Sequence, residues 1–192
     1  MFPFFETLLI RDGRVPFFHW HALRAMRTRR LQGWPGDLEW HRFFSELPRE
    51  GEWRARVIYG RVLGEIQIQP YRFIPKTRLI LCEAEPEYGE KRVDRGALEK
   101  ISATDPAEDV IIVKKGLVTD TTIANIALYD GKEWVTPKKP LLRGTARTRY
   151  LEAGWLKERE IPAEGVEKYE TIALMNALSG FYVVGKIKKV VR

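Results

Sequence analysis

The start of the chain alternates short apolar runs with polar breaks, which predicts a β-hairpin followed by a helix. Residues 4–10 and 14–18 are apolar runs, and Asp12-Gly13 between them is a strong turn signal. Residues 19–31 then carry apolar side chains on or near one face and arginines on the other. This second pattern predicts an amphipathic helix directly after the hairpin.

The next segment predicts a second helix and then further strands. Between residues 37 and 48, apolar side chains recur at positions i, i+3, i+4 and i+7, and a proline closes the pattern. Residues 54–59 and 65–69 form the next expected hairpin, because residues 65–69 alternate with the period of a half-buried strand. Residues 77–82 add another predicted strand.

A break in the pattern at residues 83–89 indicates a linker. This stretch contains Pro86, Gly89 and three glutamates. We therefore predict an α+β fold with domains 1–86 and 87–192, each a small lobe of mostly antiparallel sheet with flanking helices. In the second domain we expect helices at 95–103 and 144–153, and strands at 110–113, 123–129, 133–135, 171–175 and 181–184.

The composition allows a packed core and excludes several classes of protein. The 192 residues are 44% hydrophobic, which is ample for a core. No apolar run approaches the roughly 20 residues that span a bilayer, and a basic signal region is absent, so we expect a cytoplasmic protein with no membrane partner. The single Cys82 excludes an internal disulfide framework. His19 and His21 point to different sides of a helix, so we expect no metal site.

The charge of the chain leaves two interpretations open. The formal net charge is +7 and the isoelectric point is near 9.5. Much of the excess lies in the arginines of the first predicted helix and in the lysines near the C-terminus. A basic chain can bind nucleic acid, or it can be an enzyme that acts on anions, so charge alone does not decide.

Short motifs are more specific, and the first runs from the N-terminal strand into the first helix. It comprises Phe5-Glu6-Thr7, then Arg11-Asp12-Gly13-Arg14-Val15 and His21-Ala22-Leu23-Arg24. This run resembles the opening of the class IV aminotransferases and aminodeoxychorismate lyases, pyridoxal-phosphate enzymes of fold type IV with a D-amino acid aminotransferase-like fold. In that family the arginine of the His-x-x-Arg motif binds the cofactor phosphate, and its position here is Arg24. The role suits a guanidinium, which offers phosphate oxygens a planar fork of donors.

A lysine motif lies just beyond the linker. Residues 91–95, Lys-Arg-Val-Asp-Arg, resemble the family's Lys-x-x-Asn-Arg motif, in which the lysine forms a Schiff base with the cofactor. The resemblance makes Lys91 the catalytic residue, although Asp94 stands where asparagine is usual. A lysine must be neutral to attack; the two arginines of the motif favour that form, whereas Asp94 and the preceding glutamate oppose it. Lys100 is the rival candidate, but it falls inside a predicted helix and lacks the motif.

An acidic residue follows in the most specific of the motifs. Residues 116–126, Gly-Leu-Val-Thr-Asp-Thr-Thr-Ile-Ala-Asn-Ile, resemble the family's G-x-V-T-E-x-x-x-x-N-[LIF] segment. There the acid pairs with the pyridine nitrogen of the cofactor, and its position here is Asp120, one methylene shorter than glutamate. A protonated ring nitrogen makes the ring an electron sink. The resemblance also assigns Thr121 to the cofactor site, with Thr122 and Asn125 shaping the turn.

The fourth motif precedes the predicted helix 144–153. Thr136-Pro137 and residues 140–147 resemble a family run whose backbone amides, at the start of a helix, hold the cofactor phosphate. Free N–H groups and the positive end of the helix dipole favour an anion there. The resemblance assigns this contact to Thr145 and Ala146.

The fifth motif lies near the C-terminus. Residues 175–180, Met-Asn-Ala-Leu-Ser-Gly, resemble the closing family motif, whose loop contributes amides to the phosphate and to a substrate carboxylate. The resemblance assigns Asn176 to the cofactor and Ala177 to the substrate. Read without the family, the same residues are a strand-to-loop corner.

The motifs occur in family order, so the resemblance implies a pyridoxal 5'-phosphate-dependent aminotransferase that acts on an amino acid through Lys91, with the cofactor at the domain junction. Arg56 is a candidate for a substrate carboxylate, and a structural salt bridge is its alternative. Two other functions stay open: a 4-amino-4-deoxychorismate lyase that forms 4-aminobenzoate and pyruvate, and a basic binding protein that has lost catalysis. The resemblance further implies a homodimer with a small-molecule substrate and no nucleic-acid partner.

Overall fold

The computed structural model describes residues 3–34, 36–86 and 88–185. Sheets with few and short helices form the fold, so the predicted α+β class is confirmed. Within the described ranges, no helix combines the length and the apolar character needed to cross a membrane.

By its contacts the chain divides into two compact units. The first comprises Met1–Phe73 with Glu90–Asp94, and the second comprises Ile74–Gly89 with Arg95–Arg192. This division differs from the predicted boundary after residue 86, because the segment that contains Lys91 belongs to the first unit.

The first unit is a three-stranded antiparallel sheet with a helix against one face. The strands follow the order β1-β2-β3, with each neighbour antiparallel. Alternate residues of β1 and β2 form one apolar cluster with α1, as expected for strands with one buried face. The elements are β1 Phe4–Arg11, α1 Phe18–Leu31, α2 His41–Phe44, β2 Glu52–Tyr59 and β3 Leu63–Pro70.

Two expectations for the first unit were wrong. Asp12 and Gly13 do form a tight turn with positive φ angles of 49° and 73°, but residues 14–18 are not a strand. Pro16 cannot donate to a strand ladder, and Phe17 adopts a left-handed conformation from which α1 begins, so β1 pairs with β2 instead. The helix expected between residues 37 and 48 is a single turn.

The second unit contains the remaining eight strands. Its sheet follows the order β11-β10-β7-β6-β5-β4, with β8 beside β7 and β9 beside β8. Only the pairs β4–β5 and β8–β9 are parallel among the described strands. The elements are β4 Arg78–Glu83, α3 Gly96–Glu99, β5 Glu108–Lys114, β6 Leu117–Thr121, β7 Asn125–Tyr129, β8 Trp134–Pro137, α4 Thr145–Glu152, β9 Leu156–Arg159, a 3-10 helix Ala163–Lys168, β10 Thr171–Asn176 and β11 Gly180–Gly185.

The core of the second unit fixes the junction between β6 and β7. Ile111 on β5 and Ile126 on β7 are fully buried in one apolar cluster with residues of β10. Asp120, near the end of β6, lies directly opposite Asn125, at the start of β7. The sequence predicted one strand over 123–129; instead a turn at 121–124 separates two strands, and the helix expected at 95–103 is the single turn α3.

Candidate functional site

The backbone around Lys91 is held along the outer edge of β1. The N–H of Phe5 donates to the carbonyl oxygen of Lys91 at 3.0 Å, and the N–H of Val93 donates to the carbonyl of Pro3 at 2.8 Å. Phe4 and Arg92 form an isolated antiparallel bridge between these contacts. Because backbone hydrogen bonds fix the segment, the lysine side chain starts from a defined position.

The side chain of Lys91 lies over the ring of Phe5. Its Nζ is 4.7 Å from the ring centroid, and the Cζ of Arg56, from β2, is 4.4 Å from the same centroid. Phe5 is buried. The ring therefore supports two cations, an arrangement that gains from the aromatic quadrupole and places two positive groups on one apolar side chain.

Arg56 differs from its neighbour Arg54 in its partners. In the described part of the chain, the buried Nε of Arg56 has no hydrogen-bond partner, and no ion pair is formed by its guanidinium. Arg54, on the same face of β2, faces the side-chain oxygen of Gln69 on β3, with the amide oriented by this hydrogen bonding. The structural salt bridge considered for Arg56 is therefore absent among the described residues.

Arg24 is bound by a buried carboxylate. Its Nε donates to Oε1 of Glu6 at 2.9 Å, and its Nη2 donates to Oε2 at 2.5 Å. The Nδ1 of His21 lies 2.7 Å from the same Oε2. His21 and Arg24 are three residues apart, so they project from one face of α1 toward β1. Glu6 thus fixes one edge of the guanidinium that the family resemblance assigns to the phosphate.

Opposing effects set the ionisation of this cluster. Burial alone raises the pKa of Glu6, but the guanidinium of Arg24 and the hydrogen bond from His21 outweigh it and lower the pKa to about 2. Burial lowers the pKa of His21, and its hydrogen bond to Glu6 only partly opposes that shift. A neutral His21 must then donate its Nδ1–H to the charged carboxylate.

Asp120 is a second buried carboxylate, in the second unit. Its Oδ1 accepts from the Nδ2 of Asn125 at 2.7 Å, and its Oδ2 accepts from the N–H of Leu142 at 2.8 Å. Burial raises the pKa of Asp120 to about 6, and the hydrogen bonds from Leu142 and Asn125 oppose the shift only in part. Arg147, the cation that also lowers this pKa, is hydrogen-bonded to Glu158 and not to Asp120 in the described structure.

Helix α4 begins beside the same network. Thr145 and Ala146 are buried in its first turn, which has no side-chain cap and no acidic residue. A Cβ on Gly144 would collide with the Oδ1 of Asn125, so this position requires glycine for close approach. The start of α4 is therefore tied to the Asp120–Asn125 pair, with its first amides uncapped by side chains.

The other assigned residues act within turns. The Oδ1 of Asn176 accepts from the N–H groups of Leu178 and Ser179, both at 2.9 Å, and so shapes the corner that contains Ala177. The hydroxyl of Thr121 accepts from the N–H of Ala124 at 3.0 Å and closes the β6–β7 turn. Their side chains thus orient backbone around the predicted contacts.

The assigned residues fall into two groups, one in each unit. Arg24, Arg56 and Lys91 belong to the first unit, and Asp120, Thr121, Thr145, Ala146, Asn176 and Ala177 belong to the second. Within the first group, Lys91 and Arg56 share the ring of Phe5. Within the second, Asp120 is connected through Asn125 and Leu142 to the start of α4.

Sequence reasoning missed the role of Glu6. A signal was available, because Glu6 has the same strand parity as Phe4, Leu8 and Ile10, which are all buried. A charged residue in a row of core positions needs a partner. Its partners became identifiable only with the fold.

Comparison with known proteins identifies the family. The model of the amino-transferase class IV family matches residues 91–187, just over half of the chain. An uncharacterized protein of Haemophilus influenzae is 32% identical over 188 residues, which cover 94% of this chain and all of that protein. The chain is also 30% identical to a Haemophilus somnus protein provisionally described as a 4-amino-4-deoxychorismate lyase. That solved structure has a TM-score of 0.80, with 94% of this chain and 98% of the other covered.

A more distant structure shares the fold. The pyridoxal-phosphate-bound form of a hypothetical aminotransferase from Mycobacterium tuberculosis is 19% identical, with a TM-score of 0.78 over 98% of this chain and 84% of the other. The family match and the near-complete coverage of the 32% identical relative decide the assignment. The chain belongs to the amino-transferase class IV family.

Proposed function

We propose that the chain is a pyridoxal-phosphate-dependent enzyme that acts on a primary amine, with Lys91 as its catalytic lysine. The observation that carries the proposal is Asp120, a fully buried acid with a pKa raised to about 6 and only neutral hydrogen-bond donors among the described residues. Such a group gains from a cationic partner. The protonated pyridine nitrogen of the cofactor is a partner of that kind.

The available donors fit the other end of the cofactor. The guanidinium of Arg24 and the uncapped first amides of α4, at Thr145 and Ala146, are suitable for a phosphate. Asn176 and Thr121 would act through the backbone that they orient. When bound, pyridoxal phosphate supplies an aldehyde carbon that condenses with amines and a ring that accepts an electron pair.

The side chain of Lys91 has the position and chemistry of a general base. In this proposal its amine binds the cofactor, is released when a substrate amine takes its place, and then accepts the α-proton of the substrate. Proton acceptance requires the neutral amine. Arg56, over the same ring of Phe5, is a positive group that disfavours a second positive charge nearby.

Of the two reactions that the family includes, we favour the lyase reaction. The relative provisionally described as a 4-amino-4-deoxychorismate lyase is 30% identical over nearly its whole length. The aminotransferase from Mycobacterium tuberculosis, at 19% identity, supports the fold alone. The proposed substrate is a cyclic amino dicarboxylate, and the products are 4-aminobenzoate and pyruvate. Transamination of an amino acid is the second candidate, favoured by the description of the family model.

The role of Lys91 is tested by cofactor uptake. The purified chain is mixed with pyridoxal phosphate, its visible absorbance is recorded, and borohydride reduction followed by peptide mass spectrometry locates any covalently attached cofactor. We expect attachment at Lys91, lost in Lys91→Ala and retained in Lys100→Ala, the matched control. A wild-type chain that takes up no cofactor would overturn the proposal and support the alternative of a basic binding protein.

The reaction is tested with the loaded wild-type enzyme. One incubation contains 4-amino-4-deoxychorismate, with 4-aminobenzoate and pyruvate as the measured products. The other contains amino acids with a keto acid, and the new amino acid is measured. We expect turnover in the first incubation; turnover only in the second would replace the lyase by the aminotransferase. Sedimentation of the same preparation tests the homodimer that we include in the proposal.

Arg56 is proposed to bind a substrate carboxylate. Arg56→Gln removes the unpaired guanidinium, and Arg54→Gln removes one that faces Gln69, so the two variants form a matched pair. Since hydrogen bonds to charged groups are worth more than about 1.5 kcal/mol, we expect the KM of Arg56→Gln to rise about tenfold or more. Equal KM values in the two variants would contradict this assignment.

A further inference from the structure

The carboxylate of Asp120 depends on the turn that follows it. Asp120 and Asn125 pair across the β6–β7 junction, and residues 121–124 connect them. Inside the turn, the N–H of Thr121 donates to the carbonyl of Ala124 at 2.8 Å, and the N–H of Ala124 donates back to the hydroxyl of Thr121 at 3.0 Å. These bonds define the turn but do not attach it to the rest of the unit.

A buried acid on β5 provides one attachment. The Oδ1 of Asp109 accepts from the hydroxyl of Thr122 at 2.5 Å and from the N–H of Thr122 at 3.3 Å. The same oxygen accepts from the N–H of Val110 at 2.8 Å. The Oδ2 is buried and has no partner within the described residues. The hydrogen bonding of this acid is thus directed to one oxygen and largely to one residue of the turn.

An arginine provides the second attachment. The Nη2 of Arg95 donates to the carbonyl oxygen of Thr122 at 2.6 Å, and its guanidinium lies 5.8 Å from the ring centroid of Tyr88. The N–H, the hydroxyl and the carbonyl of Thr122 are therefore all held, by two residues distant in sequence. Arg95 also follows Lys91 by only four residues along the chain.

We propose that Asp109 and Arg95 are positioning residues, which hold Thr122 from two sides and so fix the 121–124 turn that sets the carboxylate of Asp120. This inference rests on the proposed function, in which Asp120 meets the ring nitrogen of the cofactor. A positioning role accounts for a buried carboxylate on β5 whose next inward-facing neighbours, Ile111 and Val113, are apolar. Core packing alone is better served by an apolar residue, whereas directed hydrogen bonds define one geometry.

The test removes one hydroxyl and keeps the shape. Thr122→Val loses the hydrogen bond to Asp109, and Thr122→Ser retains it. Thr136→Val is the matched control, because the hydroxyl of Thr136 is also buried and also makes one hydrogen bond, to the carbonyl of Ile126 at 2.7 Å. Both valine variants are expected to melt at lower and similar temperatures than the wild type.

Two further measurements separate positioning from stability. The first is the carbon-13 NMR titration of Asp120 in the full chain without cofactor. The pKa of this group is expected to fall toward that of an exposed aspartate in Thr122→Val, because a loosened turn admits water. It is expected to stay raised in Thr122→Ser, in Thr136→Val and in Asp109→Asn, which keeps the accepting Oδ1.

The second measurement is the affinity for pyridoxal phosphate, with the pH titration of its visible absorbance. We expect about tenfold weaker binding and an altered titration in Thr122→Val only, since one hydrogen bond to a charged acceptor is lost. If Thr122→Val and Thr136→Val give the same Asp120 titration, the positioning role is wrong, whatever the cofactor does. If the wild type binds no cofactor, the proposed function fails, and the NMR comparison still decides whether Asp109 positions Asp120.

Discussion

Two buried carboxylates, Glu6 and Asp120, are handled in opposite ways by the two units. Glu6 accepts from the guanidinium of Arg24 and from the imidazole of His21, and its pKa falls to about 2. Asp120 accepts only from neutral donors, the amide of Asn125 and a backbone N–H, and its pKa rises to about 6. Burial acts on both groups in the same direction, so the partners decide the outcome.

The difference separates a completed charge from an incomplete one. Glu6 is neutralised within its own unit, and it holds Arg24 in a fixed orientation as a consequence. Asp120 keeps the cost of burial, which a cation would offset. A carboxylate held in that state marks the position at which a positively charged ligand group gains most.

The largest expected effect follows from removing the first carboxylate charge. Glu6→Gln leaves the guanidinium of Arg24 without its anion in a largely buried position. Since breaking a buried ion pair from one side is strongly destabilising, we expect a loss of about 3–5 kcal/mol in the free energy of unfolding. Urea denaturation at neutral pH measures it. Asp120→Asn, the equivalent change in the other unit, should cost far less without cofactor, and equal losses would contradict the comparison.

The second effect is a pH dependence of opposite sign. The raised pKa of Asp120 means that its contribution to stability is fully present below about pH 3.8 and is lost as the pH rises through about 6. The lowered pKa values of Glu6 and His21 act the other way, since their contributions are present above the ordinary pKa of each group and are lost in acid. The whole chain without cofactor should therefore still lose stability in acid.

Subtraction isolates the Asp120 contribution. The stability of the wild type relative to Asp120→Asn should fall by about 3 kcal/mol between pH 4 and pH 8, because a shift of about two pKa units is worth that much. The Glu6 and His21 contributions are common to both proteins and cancel. Urea denaturation across this range measures the difference. A difference that is constant with pH would show that Asp120 is compensated after all.

The smallest of these effects concerns the glycine beside Asn125. Gly144→Ala places a Cβ against the Oδ1 of Asn125 and so disturbs the amide that donates to Asp120. We expect a loss of about 1–3 kcal/mol, as for other overpacked sites, read as a lowered melting temperature. Gly165→Ala is the control, since its Cβ would meet only a flexible lysine carbon at ordinary distance. Unequal melting is expected, and equal melting would argue against the close approach at Gly144.

The sequence allowed the chemistry to be located better than the geometry. The resemblance identified Asp120, and the strand order makes that position the buried end of β6. The partners of Asp120 were less accessible, because Leu142 is distant in sequence and donates through its backbone. A backbone donor leaves no mark in the side-chain pattern.

The errors in the predicted elements have a common physical cause. Residues 14–18 are apolar enough for a strand, and the apolar spacing around Phe43 suits a helix, but neither pattern registers the local backbone. Pro16 and the left-handed Phe17 end any ladder there, and α2 has no side-chain cap to extend it. Asp109 was missed for another reason, since its partner Thr122 is reached only through the fold.

The neighbouring residues Phe5 and Glu6 make β1 intolerant of any change in its length. One lies beneath the ammonium of Lys91, and the other accepts from Arg24 on the opposite side of the strand. Deleting or inserting a single residue between Phe4 and Arg11 would exchange inward and outward positions for everything beyond it. Natural variants of this chain should therefore vary in the lengths of their loops while the spacing along this strand stays constant.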